Sequence, residues 1–150
     1  MKKVLVVCLG NICRSPTAEA VLRAKVAQAG ADIRVDSAGT GAYHVGERPD
    51  SRSRAAGEKR GYSFKGIYAR QVESQDFEQF DLVLAADRSN LDDLLRQCPD
   101  HLAHKVKLFL SFGEGVTEEI PDPYYGGDKG FELVLDLIED ASQGVIEALK

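Results

Sequence analysis

Val4, Leu5, Val6 and Val7 form an apolar run with no polar residue between them. A strand with one wet face alternates, whereas a run without alternation has both faces covered, as in a parallel sheet. The run stops at Cys8 and a polar loop follows. From residue 16 to 29 the residues Ala18, Val21, Leu22, Val26 and Ala29 then fall on one helical stripe. Ser15 suits the N-cap of that helix, Pro16 its first position, and Gly30 its end. A buried strand that passes through a short loop into an amphipathic helix is the first half of a β-α-β crossover. That unit commits the chain to an α/β architecture.

The alternation of element types continues. Residues 33–37 read as a second strand, followed by a Gly-rich loop and a weaker helix over 50–60 that carries Gly57 inside it and Gly61 after it. A short helix over 74–79 precedes a third buried strand at 82–86. Asp87 caps the next helix, whose Leu91, Leu94, Leu95 and Cys98 share a face and which Pro99 closes. Val106, Leu108 and Leu110 alternate as a fourth strand. A long C-terminal helix carries Phe131, Val134, Leu135, Ile138, Val145 and Leu149 inward. The expected fold is one domain over residues 1–150, a three-layer α/β/α sandwich with a four-stranded parallel sheet. In such folds the ligand sits beyond the C-terminal ends of the strands, where the strand order switches, and the loop after the first strand opens at that edge.

The whole chain narrows the function. Its 150 residues, 43% hydrophobic and 29% charged, suit a soluble globular domain with a real core. A net charge of −5 argues against nucleic acid or an anionic membrane surface, since both reward a basic face. The N-terminal apolar run is too short for a signal peptide and has no small-residue cleavage site, and no segment reaches membrane-span length. Three cysteines make no disulfide framework, so the expectation is a cytoplasmic protein with reduced thiols.

Two of those cysteines, Cys8 and Cys13, lie in the opening loop, where metal, disulfide, redox switch and nucleophile are all open to them. His44, His101 and His104 have no metal-ligand spacing relative to the cysteines, so neither metal nor other cofactor is expected. As a nucleophile, Cys8 stands at a strand end facing a helix N-terminus, whose amides and dipole favour an anion and a thiolate. Gly10 lets the backbone turn tightly, and Arg14 adds a planar fork that grips two phosphate oxygens. Asn11 can hold the loop's shape through its side-chain amide. Thiolate, amides and guanidinium together make a metal-free phosphoryl-transfer site. Cys13 is placed to trap a sulfenic acid on Cys8 as a disulfide. Cys98, at helical spacing from three leucines, reads as core packing.

The segment VCLGNICRSPTAE resembles the signature of the low-molecular-weight protein tyrosine phosphatases, C-x-x-G-N-x-C-R-S-P, in its bacterial form. The resemblance continues through DSAGTGAYHVGERPDSR, VLAADRSNL and DPYYGG. It implies a nucleophile at Cys8, a phosphate binder at Arg14, a thiolate stabiliser at Ser15 and a loop organiser at Asn11. The phosphate cradle would run through Leu9, Gly10, Asn11, Ile12, Cys13, Arg14 and Ser15. Asp122, between two prolines, would be the general acid and then the base for water. Tyr124, Tyr125, Tyr43 and Leu9 would wall a slot deep enough for phosphotyrosine. Asp87, Ser89 and Asn90 match a segment that supports the phosphate loop. Ile67 departs from the pattern, because many relatives carry there a histidine that braces the asparagine, so Asn11 needs other partners.

The expected substrates are tyrosine-phosphorylated proteins, with a bacterial tyrosine kinase as one partner that such an enzyme opposes. The expected state is a monomer or weak dimer. Thiol-dependent arsenate reductase is a rival activity, but it needs two further cysteines and only Cys98 remains. A non-catalytic phosphotyrosine-binding module is a rival of another class, against which the joint presence of Cys8, Arg14 and Asp122 argues.

Overall fold

The structure is a computed structural model and describes residues 1–124 and 127–150. The run Lys2–Cys8 forms β1, and the chain continues through α1 (Arg14–Ala29), β2 (Ile33–Gly39), α2 (Ser51–Lys59) and α3 (Asp76–Gln79). It then forms β3 (Leu82–Ala85), α4 (Arg88–Gln97), β4 (Val106–Leu108) and α5 (Asp128–Ala148), with a short 3-10 helix on either side of β4. The four strands make one parallel sheet in the order β2-β1-β3-β4. β1 is central, pairing β2 on one side and β3 on the other, so the strand order switches at β1. Its last residue, Cys8, lies opposite Gly39 at the C-terminal edge.

The absence of alternation in β1 has the expected cause. Val4 and Val6 pack into a core with Val21 and Leu22 of α1 and Leu135, Ile138 and Val145 of α5. Leu5 and Val7 face the opposite layer, with Phe77 of α3 and Leu94 of α4. All four residues of the run are fully buried, and each such burial contributes about 1.5–3 kcal/mol. Two glycines mark close approaches. A Cβ on Gly39 would lie 2.7 Å from the Leu9 carbonyl, and one on Gly144 would collide with the Phe112 carbonyl where α5 crosses the turn after β4.

Several local expectations change. α1 starts at Arg14 and its N-cap is Cys13, whose carbonyl accepts from the Thr17 amide and, at 2.6 Å, from the Thr17 hydroxyl. Ser15 is therefore inside the first turn, and Pro16 occupies the third helical position. The amide that Pro16 lacks would be unpartnered there anyway. Asp50 caps α2 and Asp87 caps α4 through their side chains, as their positions before each helix suggest. Leu95 is 41% exposed, because the layer covering α4 reaches Leu94 and Cys98 but not the next residue round. Leu110 leaves the strand for a 3-10 turn and still packs inside. Among the described residues no helix is long and apolar enough to cross a membrane.

Candidate active site

The β1–α1 loop rises from the switch point, and its carbonyls are tied to the scaffold. Cys8 O accepts from Thr40 N and Leu9 O from Gly41 N, both at 2.9 Å, and Ile12 O accepts from Asp50 N at 2.7 Å. The left-handed residue of the loop is Asn11, at φ 56°, not Gly10. A Cβ on Gly10 would meet the His44 ring at 3.0 Å, so a larger residue there would have to push that ring aside. Asparagine tolerates the left-handed region because its short amide bonds locally. Here Asn11 is 1% exposed; its Nδ2 donates to Ser15 Oγ at 2.8 Å and Ser37 Oγ at 3.0 Å, and its Oδ1 accepts from the Arg70 amide at 3.0 Å. These are the partners that the Ile67 position leaves Asn11 to find. Ile67 itself is buried in the core, and its carbonyl accepts from Arg48 at 3.0 Å.

Ser37 and Glu19 extend this chain inward, and sequence reasoning did not single them out. Ser37 Oγ donates to Glu19 Oε1 at 2.6 Å, and Glu19 also pairs with Arg23 one turn along α1. Burial pushes the Glu19 carboxyl above the ordinary glutamate range, although the Ser37 hydroxyl and Arg23 pull it down. With the Ser37 proton committed to Glu19, its lone pairs receive Asn11. Asn11 spends its other amide hydrogen on Ser15, which leaves the Ser15 hydroxyl proton to point elsewhere. Ser15 Oγ lies 3.0 Å from Cys8 Sγ.

Cys8 opens onto a cavity of about 460 Å³ lined also by Cys13, Arg14, Tyr43, His44, Asp122 and Tyr124. Arg14, 4% exposed, donates through Nη1 to Asp87 Oδ2 at 2.7 Å and to the Ile120 carbonyl at 3.0 Å. Its Nη2 is 4.0 Å from Asp122 Oδ2. The Tyr124 amide donates to Asp122 Oδ1 at 3.0 Å. Leu9 and Tyr43 are exposed at 46% and 74%, and Tyr124 at 37%. Tyr125 lies outside the described residues.

Asp87 does two jobs, since its other oxygen accepts the Asn90 amide at 2.8 Å while it holds Arg14. Asn90 is buried beside it with its Oδ1 unpaired, whereas Ser89 is exposed. Cys13 is buried, and that burial pushes its thiol up to about 12, only partly offset by a hydrogen bond with Ser53. Cys98 packs in the second core layer, as its spacing suggests. Among the described residues no cluster of three or more His, Cys, Asp or Glu is arranged to hold a metal.

Comparison with known proteins agrees with this geometry. The sequence profile of the family described as low molecular weight phosphotyrosine protein phosphatase matches residues 3–150. The chain is 44% identical to the low molecular weight phosphotyrosine protein phosphatase of Schizosaccharomyces pombe, over 98% of this chain and 96% of that one. It is 44% identical to the low molecular weight protein-tyrosine-phosphatase of Streptomyces coelicolor, over 99% and 93%. The crystal structure of a protein tyrosine phosphatase from Entamoeba histolytica, with Hepes in its active site, superposes with a TM-score of 0.95 at 45% identity, covering 99% of this chain and 97% of the other. A four-stranded switch-point fold, a cysteine loop at its edge and full-length similarity at these levels place the protein in one family: the chain belongs to the low molecular weight phosphotyrosine protein phosphatases.

Proposed function

We propose that this chain hydrolyses phosphotyrosine in proteins, and simple aryl phosphates, through a phosphocysteine on Cys8. The observation that carries the reading is the convergence of Cys8, Arg14 and Asp122 on one cavity, with Ser15 Oγ 3.0 Å from the sulfur. The Cys8 thiolate attacks phosphorus, the P–O bond to the ring breaks, and the phenolic oxygen takes a proton from Asp122. Water then attacks the phosphocysteine and gives its proton to Asp122. The S–P bond breaks, returning the thiolate and releasing inorganic phosphate. Asp122 thus serves as acid first and base second.

Charge placement explains the selectivity for this chemistry. Asp87 and the Ile120 carbonyl hold Arg14 from one side, which orients the remaining donors of its fork toward the cavity and its anion. The carbonyls of Cys8, Leu9, Ile12 and Cys13 are bound by the scaffold and the helix, and the loop's amides from Leu9 to Ser15 would meet the phosphate oxygens. Tyr43, Leu9 and Tyr124 form walls along which an aromatic ring reaches the sulfur and a shorter phosphoserine falls short. The Hepes that occupies the Entamoeba relative's active site carries a sulfonate, an oxyanion of similar shape.

A protective redox step accompanies this activity. Peroxide converts the Cys8 thiolate to a sulfenic acid. Cys13 sulfur then attacks Cys8 sulfur, the S–S bond forms and water leaves. The buried Cys13 stays a thiol at neutral pH, so at rest it does not compete with Cys8 for substrate. Reduced thiols fit work in the cytoplasm.

The direct test is turnover of phenyl phosphate by purified protein in the presence of a chelator, with acid-quenched protein mapped by mass spectrometry. Phosphate on Cys8 and metal-independent release of phenol are expected. Binding of phosphotyrosine without release, or release without a Cys8 adduct, overturns the reading. Arsenate reduction in the same preparation would return the rival activity.

A further inference from the structure

Arg52, on the first turn of α2, joins two loops that are far apart in sequence. The Asp50 amide donates to the Ile12 carbonyl, which fixes Asp50 to the phosphate loop. The Asp50 carboxylate takes both arms of the Arg52 fork, with Nε on Oδ1 and Nη2 on Oδ2, each at 3.1 Å. Partial burial works against ionisation of Asp50, but that fork and the helix-cap amides of Arg52 and Ser53 hold its carboxyl below the usual carboxylate range. Nη2 also donates to the Tyr124 carbonyl at 2.9 Å. The guanidinium lies between two rings, 5.3 Å from the centroid of Tyr124 and 4.9 Å from that of Phe131. Phe131 is 4% exposed on α5 and gives the stack a fixed platform.

Tyr124 is two residues beyond Asp122, and its amide donates to the Asp122 carboxylate. Residues 117–123 carry neither helix nor strand, and the Asp122 side chain is 45% exposed. Among the described residues that carboxyl meets the Tyr124 amide and, at 4.0 Å, Arg14 Nη2. A general acid must stay within hydrogen-bond reach of the leaving oxygen.

We propose that Arg52 is the positioning residue for proton transfer: by clamping Tyr124 to the phosphate loop through Asp50, it sets the Asp122 carboxyl relative to Cys8. The proposal rests on the reading of Asp122 as the acid. Lysine cannot replace Arg52, because a point charge neither forks onto a carboxylate nor stacks between two rings in the same way.

The test measures kcat/KM of wild type, Arg52→Ala, Arg52→Lys, Asp122→Asn and the Arg52→Ala/Asp122→Asn double variant. The substrates are phenyl phosphate and 4-nitrophenyl phosphate, with inhibition by inorganic phosphate measured alongside as a check on the folded cradle. Misplacing a catalytic group by an ångström costs up to about 100-fold, so both Arg52 variants should lose on the order of tenfold on phenyl phosphate. The loss should be several-fold smaller on 4-nitrophenyl phosphate, whose phenolate departs unprotonated. Phosphate inhibition should stay within about twofold, and Arg52→Ala should cost nothing further once Asp122 is Asn, as for two residues acting as a unit.

An equal loss on both substrates, or weakened phosphate inhibition, overturns the proposal and makes Arg52 an anion binder or a structural residue. If Asp122→Asn shows the graded loss and Arg52→Ala does not, the Arg52 assignment fails while the acid reading stands. If Asp122→Asn itself loses equally on both substrates, the acid reading falls and the Arg52 assignment falls with it.

Discussion

Arg14 Nη1 and Asp87 Oδ2 meet at 2.7 Å beside the cavity, with the two side chains 5% and 22% exposed. A nearly buried guanidinium is thus neutralised from behind before any substrate arrives. The same carboxylate caps α4, so one residue fixes both the direction of Arg14 and the start of the helix that follows β3.

Those two jobs are separable. Asparagine caps a helix as well as aspartate but carries no charge, so Asp87→Asn should remove the ion pair alone. The expected loss of stability is about 1.5–3 kcal/mol, the range for a hydrogen bond to a charged group. Asp87→Ala should lose about 1 kcal/mol more with the cap. Inorganic phosphate gives Arg14 a substitute partner, so it should raise the unfolding temperature of Asp87→Asn more than that of wild type. Thermal melts with and without phosphate make the comparison, and wild-type behaviour of Asp87→Asn in both would remove the ion pair from the argument.

Asn11 combines a left-handed backbone with three side-chain hydrogen bonds. Glycine at this position keeps the conformation and loses the bonds, whereas alanine loses both. Asn11→Ala should therefore be less stable than Asn11→Gly by about 1–2 kcal/mol, the cost of a Cβ in that region. Both variants should turn over more slowly than wild type, because Ser15 loses the donor that directs its hydroxyl toward Cys8. Urea titration of the pair isolates the backbone contribution.

Glu19 predicts a pH dependence whose sign follows from burial. Its folded-state pKa is raised, so the native state holds the proton more tightly than the unfolded chain does. That stabilisation is fully present below the unfolded value of about 4.3 and is lost as pH rises through the folded value. Across this window the stability of wild type relative to Glu19→Gln should fall. Denaturation curves at a series of pH values for the two proteins should diverge in that direction; parallel profiles would mean that Glu19 titrates as in the unfolded chain.

Cys13→Ala separates packing from redox protection. After mild peroxide and then a dithiol, wild type should recover activity and Cys13→Ala should not. The buried Cys13 titrates only near about 12, so closure of the disulfide should speed up about tenfold per pH unit between pH 6 and 8, following the thiolate fraction. Peptide mapping should find Cys8 joined to Cys13. Equal recovery of the variant would make Cys13 a packing residue.

The strand, loop and helix from Lys2 to Ala29 were legible in the sequence because every cue there is local: an unbroken apolar run, a helical stripe, and a glycine at the end. The family motifs nominate Cys8, Arg14 and Asp122 as candidates through short runs of residue types. Ser15 reads as an N-cap along the chain because capping is a local preference, whereas in the fold α1 starts at Arg14 and the Ser15 hydroxyl meets Cys8, Asn11 and the Ala38 carbonyl. Glu19 looked like any acidic residue on a helix, and Leu95 like any core leucine. Only the placement of β2 beside α1, and the limited reach of the layer over α4, buried the first and exposed the second.

Arg52, Asp50 and Tyr124 carry no joint signal along the chain, because Tyr124 lies 72 residues from Arg52. Their relationship exists only once β1 stands between β2 and β3, with α2 and the loop before α5 brought to the same edge of the sheet. Local chemistry is written in neighbouring residues. The direction of a hydroxyl proton or the reach of a guanidinium depends on whatever the fold sets within about 3 Å of it, the range over which a hydrogen bond acts.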